Sequence, residues 1–156
     1  MIHIRPFQSS DLDSIVKIEK KAFPLPWSAR SFLDCARWKE FWFYVAIWDK
    51  KVVGYFVAQV VEEEAELHNI AIDPARQKKG FGERLLRFFL DTARQKGVRE
   101  IFLMVRPSNT AAICLYQKLE FVLIDKRPRY YADTGEEALI FHFTRNRILH
   151  EEPDIL

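Results

Sequence analysis

Residues 69–97, NIAIDPARQKKGFGERLLRFFLDTARQKG, constrain the fold more than any other stretch of the chain. They open with a short apolar run, Ile70-Ala71-Ile72, break at Asp73-Pro74, and cross a basic turn that holds Gly80 and Gly82. Past the turn Leu85, Leu86, Phe89, Leu90 and Ala93 recur at the spacing of one helical face, and Gly97 stands where a left-handed cap ends a helix. The stretch predicts strand, turn and helix, with the helix starting near Gly80. A helix start presents unpaired amide N–H groups and the positive end of its dipole. Gly80 and Gly82 put no side chain between those amides and a ligand, and Lys78 and Lys79 add charge, so the turn predicts a seat for a phosphate or diphosphate. Neither the Gly-Lys-Ser/Thr ending of a P-loop nor the first glycine of the Rossmann fingerprint is present. Taken alone, the turn reads equally well as a basic, solvated connection.

At 156 residues and 49% hydrophobic content the chain has the size of one domain and the apolar material for one core. Its 24 basic and 22 acidic residues leave a net charge of +2, which makes no general case for a nucleic-acid partner. Arg127, Arg129, Arg145 and Arg147 lie near strand ends and read as solvated. Cys35 and Cys114 are far apart beside apolar residues and read as reduced core thiols, not as a disulfide or metal site, which points to a cytoplasmic protein. Residues 1–7 lack the apolar centre of a secretion signal, and the longest apolar run, 41–48, is too short for a bilayer.

Apolar spacing predicts a strand at 2–7, a helix from a Ser10-Asp11 cap to about Ala22, and a second from a Ser28 cap to about Trp38. Between the helices, residues 23–28 form a proline-stiffened loop in which Trp27 either lines a groove or plugs the gap between the helices. Residues 42–48 and 52–61 predict a hairpin about Asp49-Lys50, and the acidic turn 62–64 leads into a strand at 65–72. After the central helix, 101–105 reads as a buried strand, Ser108-Asn109 as the cap of a helix to about Glu120, and 121–124 and 138–143 as the last strands. An arm carrying Arg127, Arg129, Tyr130 and Tyr131 joins those two strands. The pattern is one α/β domain over 1–145, with a mixed sheet, antiparallel at both ends, followed by a polar tail at 146–156.

Gln77-Lys-Lys-Gly80-Phe-Gly82 resembles the Q/R-x-x-G-x-G/A signature of the GNAT superfamily of N-acetyltransferases. Three further stretches are similar, in the same order, to its RimI-type ribosomal-protein-alanine N-acetyltransferases. They are Pro26-Trp27-Ser28, then VRPSN at 105–109 running into AAICLY at 111–116, and Arg129-Tyr130-Tyr131 with Gly135-Glu136-Glu137-Ala138. The resemblance implies a GNAT-type acyltransferase domain, a mixed sheet with splayed middle strands and flanking helices, with acetyl-CoA as co-substrate and no metal. It implies that the backbone of Ile70, Ala71 and Ile72 pairs with the pantetheine arm and that Gln77, Lys78, Lys79, Gly80, Phe81, Gly82 and Glu83 wrap the pyrophosphate. Asn109 would hydrogen-bond the pantetheine, and Tyr116 would protonate the departing thiolate. Trp27, Tyr130 and Tyr131 would hold the first residues of the acceptor. That acceptor would be the N-terminal α-amine of a protein, a ribosomal protein among the candidates, attacked directly in a ternary complex on a monomer or weak dimer, with no nucleic acid or membrane involved.

One position departs from the pattern. RimI-type enzymes carry a glutamate general base in the strand that here reads Leu103-Met104-Val105-Arg106, and Met104 takes its place. A thioether cannot accept a proton. An α-amine of pKa about 7.8 is already about a tenth neutral at pH 7, whereas a lysine of pKa about 10.4 is neutral in about one molecule in a few thousand, so an α-amine tolerates the loss far better. Glu66, which shares a face with His68 if no bulge intervenes, is a candidate base acting through a water. It reads equally as a solvated extension of the acidic turn, and His68 reads as structural. Two alternatives stay open: acetylation of a lysine or small-molecule amine, and a non-catalytic acyl-CoA-binding module.

Overall fold

The computed structural model describes residues 1–145, so the tail expected at 146–156 lies outside the described residues. The strands are β1 (His3–Pro6), β2 (Phe41–Trp48), β3 (Lys51–Val61), β4 (Glu64–Ile72), β5 (Glu100–Val105), β6 (Val122–Arg127) and β7 (Ala138–Thr144). They form one sheet in the order β1-β2-β3-β4-β5-β7-β6. Only β4 and β5 run parallel; every other neighbouring pair is antiparallel. The helices are α1 (Leu12–Ala22), α2 (Ala29–Arg37), α3 (Phe81–Gln95) and α4 (Thr110–Lys118), and short 3₁₀ turns occupy Ser9–Asp11 and Pro74–Arg76.

Both faces of the sheet follow from the apolar stripes. Leu85, Leu86 and Phe89 of α3 are fully buried and, with α4, cover Phe56, Ile101, Leu103 and Phe141 on one face. Each such side chain stabilises the fold by about 1.5–3 kcal/mol relative to leaving it in water. Ile15 and Ile18 of α1 and Phe32 of α2 cover Phe43, Val45, Tyr55 and Val57 on the other. The β2–β3 turn is made by Asp49 and Lys50, both at positive φ (51° and 62°), the conformation that suits a two-residue hairpin. Two readings from sequence are corrected here. The sixth strand does not stop at Ile124 but continues to Arg127, because its backbone keeps pairing with β7 as far as Ala138. Cys114 is exposed on α4 and is no core thiol, while Cys35 is half-buried; α4 is apolar around most of its girth and packs only one face.

The start of α1 rests on a forked ion pair. Arg5 reaches both oxygens of buried Asp11 at 2.8 and 2.9 Å, and the Gln8 N–H donates to the same carboxylate at 2.8 Å. The Arg5 hydrogen bond holds the Asp11 carboxyl below its ordinary range. A depressed folded-state pKa gives stability that is complete above the unfolded value of about 3.9 and is lost as pH falls through the folded value. Asp11→Asn should cost about 2 kcal/mol at neutral pH, a fall in Tm of about 4–8 °C. Thermal melts across pH should show that difference shrinking below about pH 4.

The site is opened by a bulge in β4. Its register with β3 steps from Asn69 opposite Val57 to Leu67 opposite Ala58, leaving His68 as the extra residue. Parity reverses there: Ala65 and Leu67 face the α3–α4 core, whereas Asn69 and Ala71 face α1 and α2. Pairing with β5 also stops, since only Glu64 through Leu67 meet Glu100 through Leu103. Beyond Leu67 the two parallel strands diverge, and the β5-facing backbone edge of 69–72 borders a cleft.

Candidate active site

The cleft has a mouth at the start of α3. Gly80 caps the helix at φ +78°, and a Cβ there would meet nothing within 4 Å. A Cβ on Gly82 would stand 3.6 Å from Leu115 and 3.8 Å from Ile72, so the first turn of α3 meets the end of β4 and the side of α4 at one point. The 3₁₀ turn before it is fixed by Asp73, whose side chain accepts from the Ala75 N–H at 3.1 Å, and the Gln77 side chain donates to the Ile72 carbonyl at 3.4 Å. Arg76 and Lys79 lie 5.1 and 5.2 Å from the Trp48 ring, which itself packs on Phe81. The Phe81 side chain is buried in the core, so only its backbone faces the mouth. Glu83 ties α3 to α4: its carboxylate holds Lys118 at 2.6 Å and Arg87 at 3.2 Å. Those partners, Lys118 first, keep the carboxyl below its usual range. Its backbone, not its side chain, suits an anion.

Along α4, Asn109 uses its Oδ1 to cap the helix, accepting from the Ala112 N–H at 3.3 Å, and among the described residues its amide N–H₂ donates to no partner. Tyr116 is buried between Phe121 and Phe141, with ring centroids 5.6 and 6.3 Å away. Its hydroxyl makes no hydrogen bond among the described residues, although none of their fully buried side-chain polar atoms lacks a partner, so the hydroxyl reaches open space. Burial, and then neighbouring Tyr131, push its pKa above the ordinary phenol value.

The tyrosine arm is clamped onto the end of β5 by Arg106. Its guanidinium stands 4.0 Å from the Tyr131 ring centroid, 2.9 Å from Asp133 and 3.5 Å from Glu136. Glu136 also accepts from the N–H and hydroxyl of Ser108, each at 3.1 Å. Tyr130 packs edge-on against Tyr131 at 5.1 Å and leaves 46% of itself exposed. Sequence reasoning gave Arg106 no role, and the only signal for it is a basic residue after a buried strand with Asp133 and Glu136 far downstream. Arg106→Leu should release the arm and speed amide exchange at 130–136 about tenfold, which hydrogen exchange read by mass spectrometry will show.

Across the cleft, Trp27 packs between Phe32 at 5.2 Å and His68 at 6.5 Å, and its backbone N–H donates to Glu19 at 2.9 Å. Glu66 and His68 share a face in spite of the bulge, with 3.8 Å between carboxylate and ring nitrogen, and His68 also bonds Gln59 at 3.1 Å. Glu66 is half-exposed and lines a cavity of about 540 Å³ together with Gln59, Phe102, Met104, Arg127 and Ile140. Glu64 and Glu66 are the carboxylates on that lining. Among the described residues no group of His, Cys, Asp and Glu gathers as a metal site requires, and no helix is long and apolar enough to cross a membrane. Glu19 is the functional candidate that sequence reasoning missed, and its signal was present. It falls on the stripe of Ile15, Ile18 and Ala22, where a carboxylate needs partners.

Residues 12–121 match the model of the Acetyltransferase (GNAT) family. The chain belongs to this family. It is 35% identical over 139 residues to the ribosomal protein bS18-alanine N-acetyltransferase of Escherichia coli (strain K12), covering 88% of this chain and 93% of that protein. The crystal structure of the Escherichia coli ribosomal-protein-S18-alanine N-acetyltransferase superposes with a TM-score of 0.86 at 34% identity, over 92% of this chain and 94% of that one. The fold extends to Arabidopsis thaliana NAA60, solved in complex with acetyl-CoA, at 17% identity and a TM-score of 0.84, over 94% and 99% of the two chains. The mixed sheet expected of a GNAT domain is therefore the one observed, and in this GNAT chain its divergence falls at the His68 bulge.

Proposed function

We propose that this protein transfers the acetyl group of acetyl-CoA to the N-terminal α-amine of a protein, ribosomal protein bS18 being the first acceptor to test. The observation that supports this most is the parting of β4 from β5 after Leu67, which leaves a strand edge unpaired beside the amides at the start of α3. The likeness to the bS18-alanine N-acetyltransferase of Escherichia coli supplies the acceptor. The residues fit the co-substrate: the open space at Gly80 leaves the amides of 80–83 to a diphosphate, and the edge of Ile70, Ala71 and Ile72 that β5 leaves unpaired, where the Ile72 carbonyl accepts from Gln77, can pair with an amide-bearing arm as an added strand. Gln77, Lys78 and Lys79 complete the seat with charge and a polar side chain, and Asn109 offers its amide N–H₂ to the arm. Bound acetyl-CoA supplies the thioester.

Chemistry then falls to two residues. As the amine nitrogen bonds to the acetyl carbon and the carbon–sulfur bond breaks, Tyr116 donates its hydrogen bond to the forming thiolate and passes it the proton. A phenol above its ordinary pKa gives up a proton reluctantly, so much of its effect is stabilisation of the thiolate as charge develops. Glu66 takes the amine proton through a water in the cavity where Met104 stands. Trp27, Tyr130 and Tyr131 frame the acceptor's first residues. The assay is mass spectrometry of peptides carrying the bS18 N-terminal sequence after incubation with acetyl-CoA. The expected product carries one acetyl group on the α-amine, with internal lysines untouched. Acetylation confined to lysine, or none across a broad panel of N-termini, would refute the proposal.

A further inference from the structure

The α1 helix buries a carboxylate that no step above uses. Glu19 is 1% exposed, and three donors from three separate segments converge on it. The Trp27 backbone N–H of the α1–α2 loop reaches Oε2 at 2.9 Å, the Asn69 side-chain amide of β4 reaches Oε1 at 2.7 Å, and the Tyr55 hydroxyl of β3 donates to Oε1 as well. Tyr55 is held protonated for that purpose, since burial and then the adjacent Glu19 charge push its pKa far above the ordinary value.

The positions of those donors give the carboxylate a role beyond packing. Trp27 begins the acceptor wall of the cleft. Asn69 is the first residue after the His68 bulge, and it faces α1 only because the bulge reverses the parity of β4. Moving β4 by one residue would erase the bulge, turn Asn69 away from Glu19 and let the strand continue its ladder with β5, closing the cleft. The Asn69–Glu19 bond therefore opposes that slip, and the Trp27–Glu19 bond sets the acceptor wall against the same atom pair.

We infer that Glu19 is a positioning residue that locks the β4 bulge and the Trp27 loop together and so keeps the cleft open to both substrates. The inference rests on the acetyl-transfer reading for its kinetic consequence and on geometry alone for the locking itself.

Hydrogen exchange read by mass spectrometry tests the lock in the purified full chain. In Glu19→Gln one oxygen becomes an N–H₂ group facing other donors, so amides at Trp27 and at 69–72 should both exchange about tenfold faster under conditions where the α3 core stays protected. Glu19→Gln combined with Asn69→Asp relocates the carboxylate to the other partner and should restore much of the protection in both segments. Tyr55→Phe removes one donor and leaves the lock, so it should change both segments far less. Asp11→Asn, which weakens the far end of α1, is the control and should leave the two segments unchanged relative to α3. Kinetically, Glu19→Gln should raise KM for both acetyl-CoA and peptide. A response in only one of the two segments, the same response in Asp11→Asn, or no recovery in a folded double variant would overturn the inference. Should the native protein transfer no acetyl group at all, the functional reading falls while the exchange data still decide whether Glu19 locks the bulge.

Discussion

Tyr116→Phe should lower kcat by about 10²–10⁴-fold while the acetyl-CoA KM moves by no more than about twofold. The hydroxyl makes no hydrogen bond to the described residues, so removing it takes nothing from the fold, and the ring stays packed between Phe121 and Phe141. On the proposed mechanism only the developing thiolate loses a partner. Because the Tyr116 pKa is raised, the phenol keeps its proton through neutral and mildly alkaline solution, and activity that depends on it falls only as pH rises above the ordinary phenol value of about 10. The native kcat/KM profile should therefore climb through the acceptor α-amine pKa near about 8 and stay flat to at least about pH 10. A decline beginning at about pH 8–9 would assign the acid to another group, and a variant rate within about threefold of native would leave Tyr116 as a core aromatic alone.

Gly80→Val combined with Gly82→Leu should weaken acetyl-CoA binding about a hundredfold with little change in kcat at saturation. Gly80 sits at φ +78° with open space where a side chain would stand, and a Cβ on Gly82 would already touch Leu115 and Ile72. Bulk at both positions covers the amides and tilts them. Loss of two charge-assisted hydrogen bonds costs about 3 kcal/mol, which is about two decades in Kd. Strain is separated from occlusion by Gly97→Val at the other end of α3, where φ is +82° and nothing lies within 4 Å of a Cβ. That variant carries the same backbone penalty far from the mouth and should lower Tm without touching acetyl-CoA affinity.

What could be read from the sequence was local. The strand, turn and helix of 69–97, the Asp49-Lys50 hairpin, and the Ser28 and Asn109 caps depend on residues within a few positions of one another, and each is found where its spacing placed it. The placement of the cleft was not local. The bulge at His68 exists only in the register between β3 and β4, and it decides that Asn69 turns inward beside residues that face out. Arg106 meets Asp133 and Glu136 across about thirty residues of chain, contacts that a one-dimensional pattern does not record. Glu19 was visible as a charge on an apolar stripe, but its partners at Tyr55 and Asn69 were not. The extent of β6 depended on where β7 stopped pairing, and Cys114 depended on which side of an evenly apolar helix met the sheet.

The central claim is that amide hydrogens at the start of α3 grip a diphosphate and thereby lay a thioester along the open edge of β4. Calorimetry with acetyl-CoA and with S-acetylpantetheine, which keeps the thioester arm but lacks the diphosphate and nucleotide, tests it most directly. The account predicts that acetyl-CoA binds at least about a hundredfold more tightly and that raising the salt narrows the gap. Equal affinities, or no heat from acetyl-CoA at all, would contradict it.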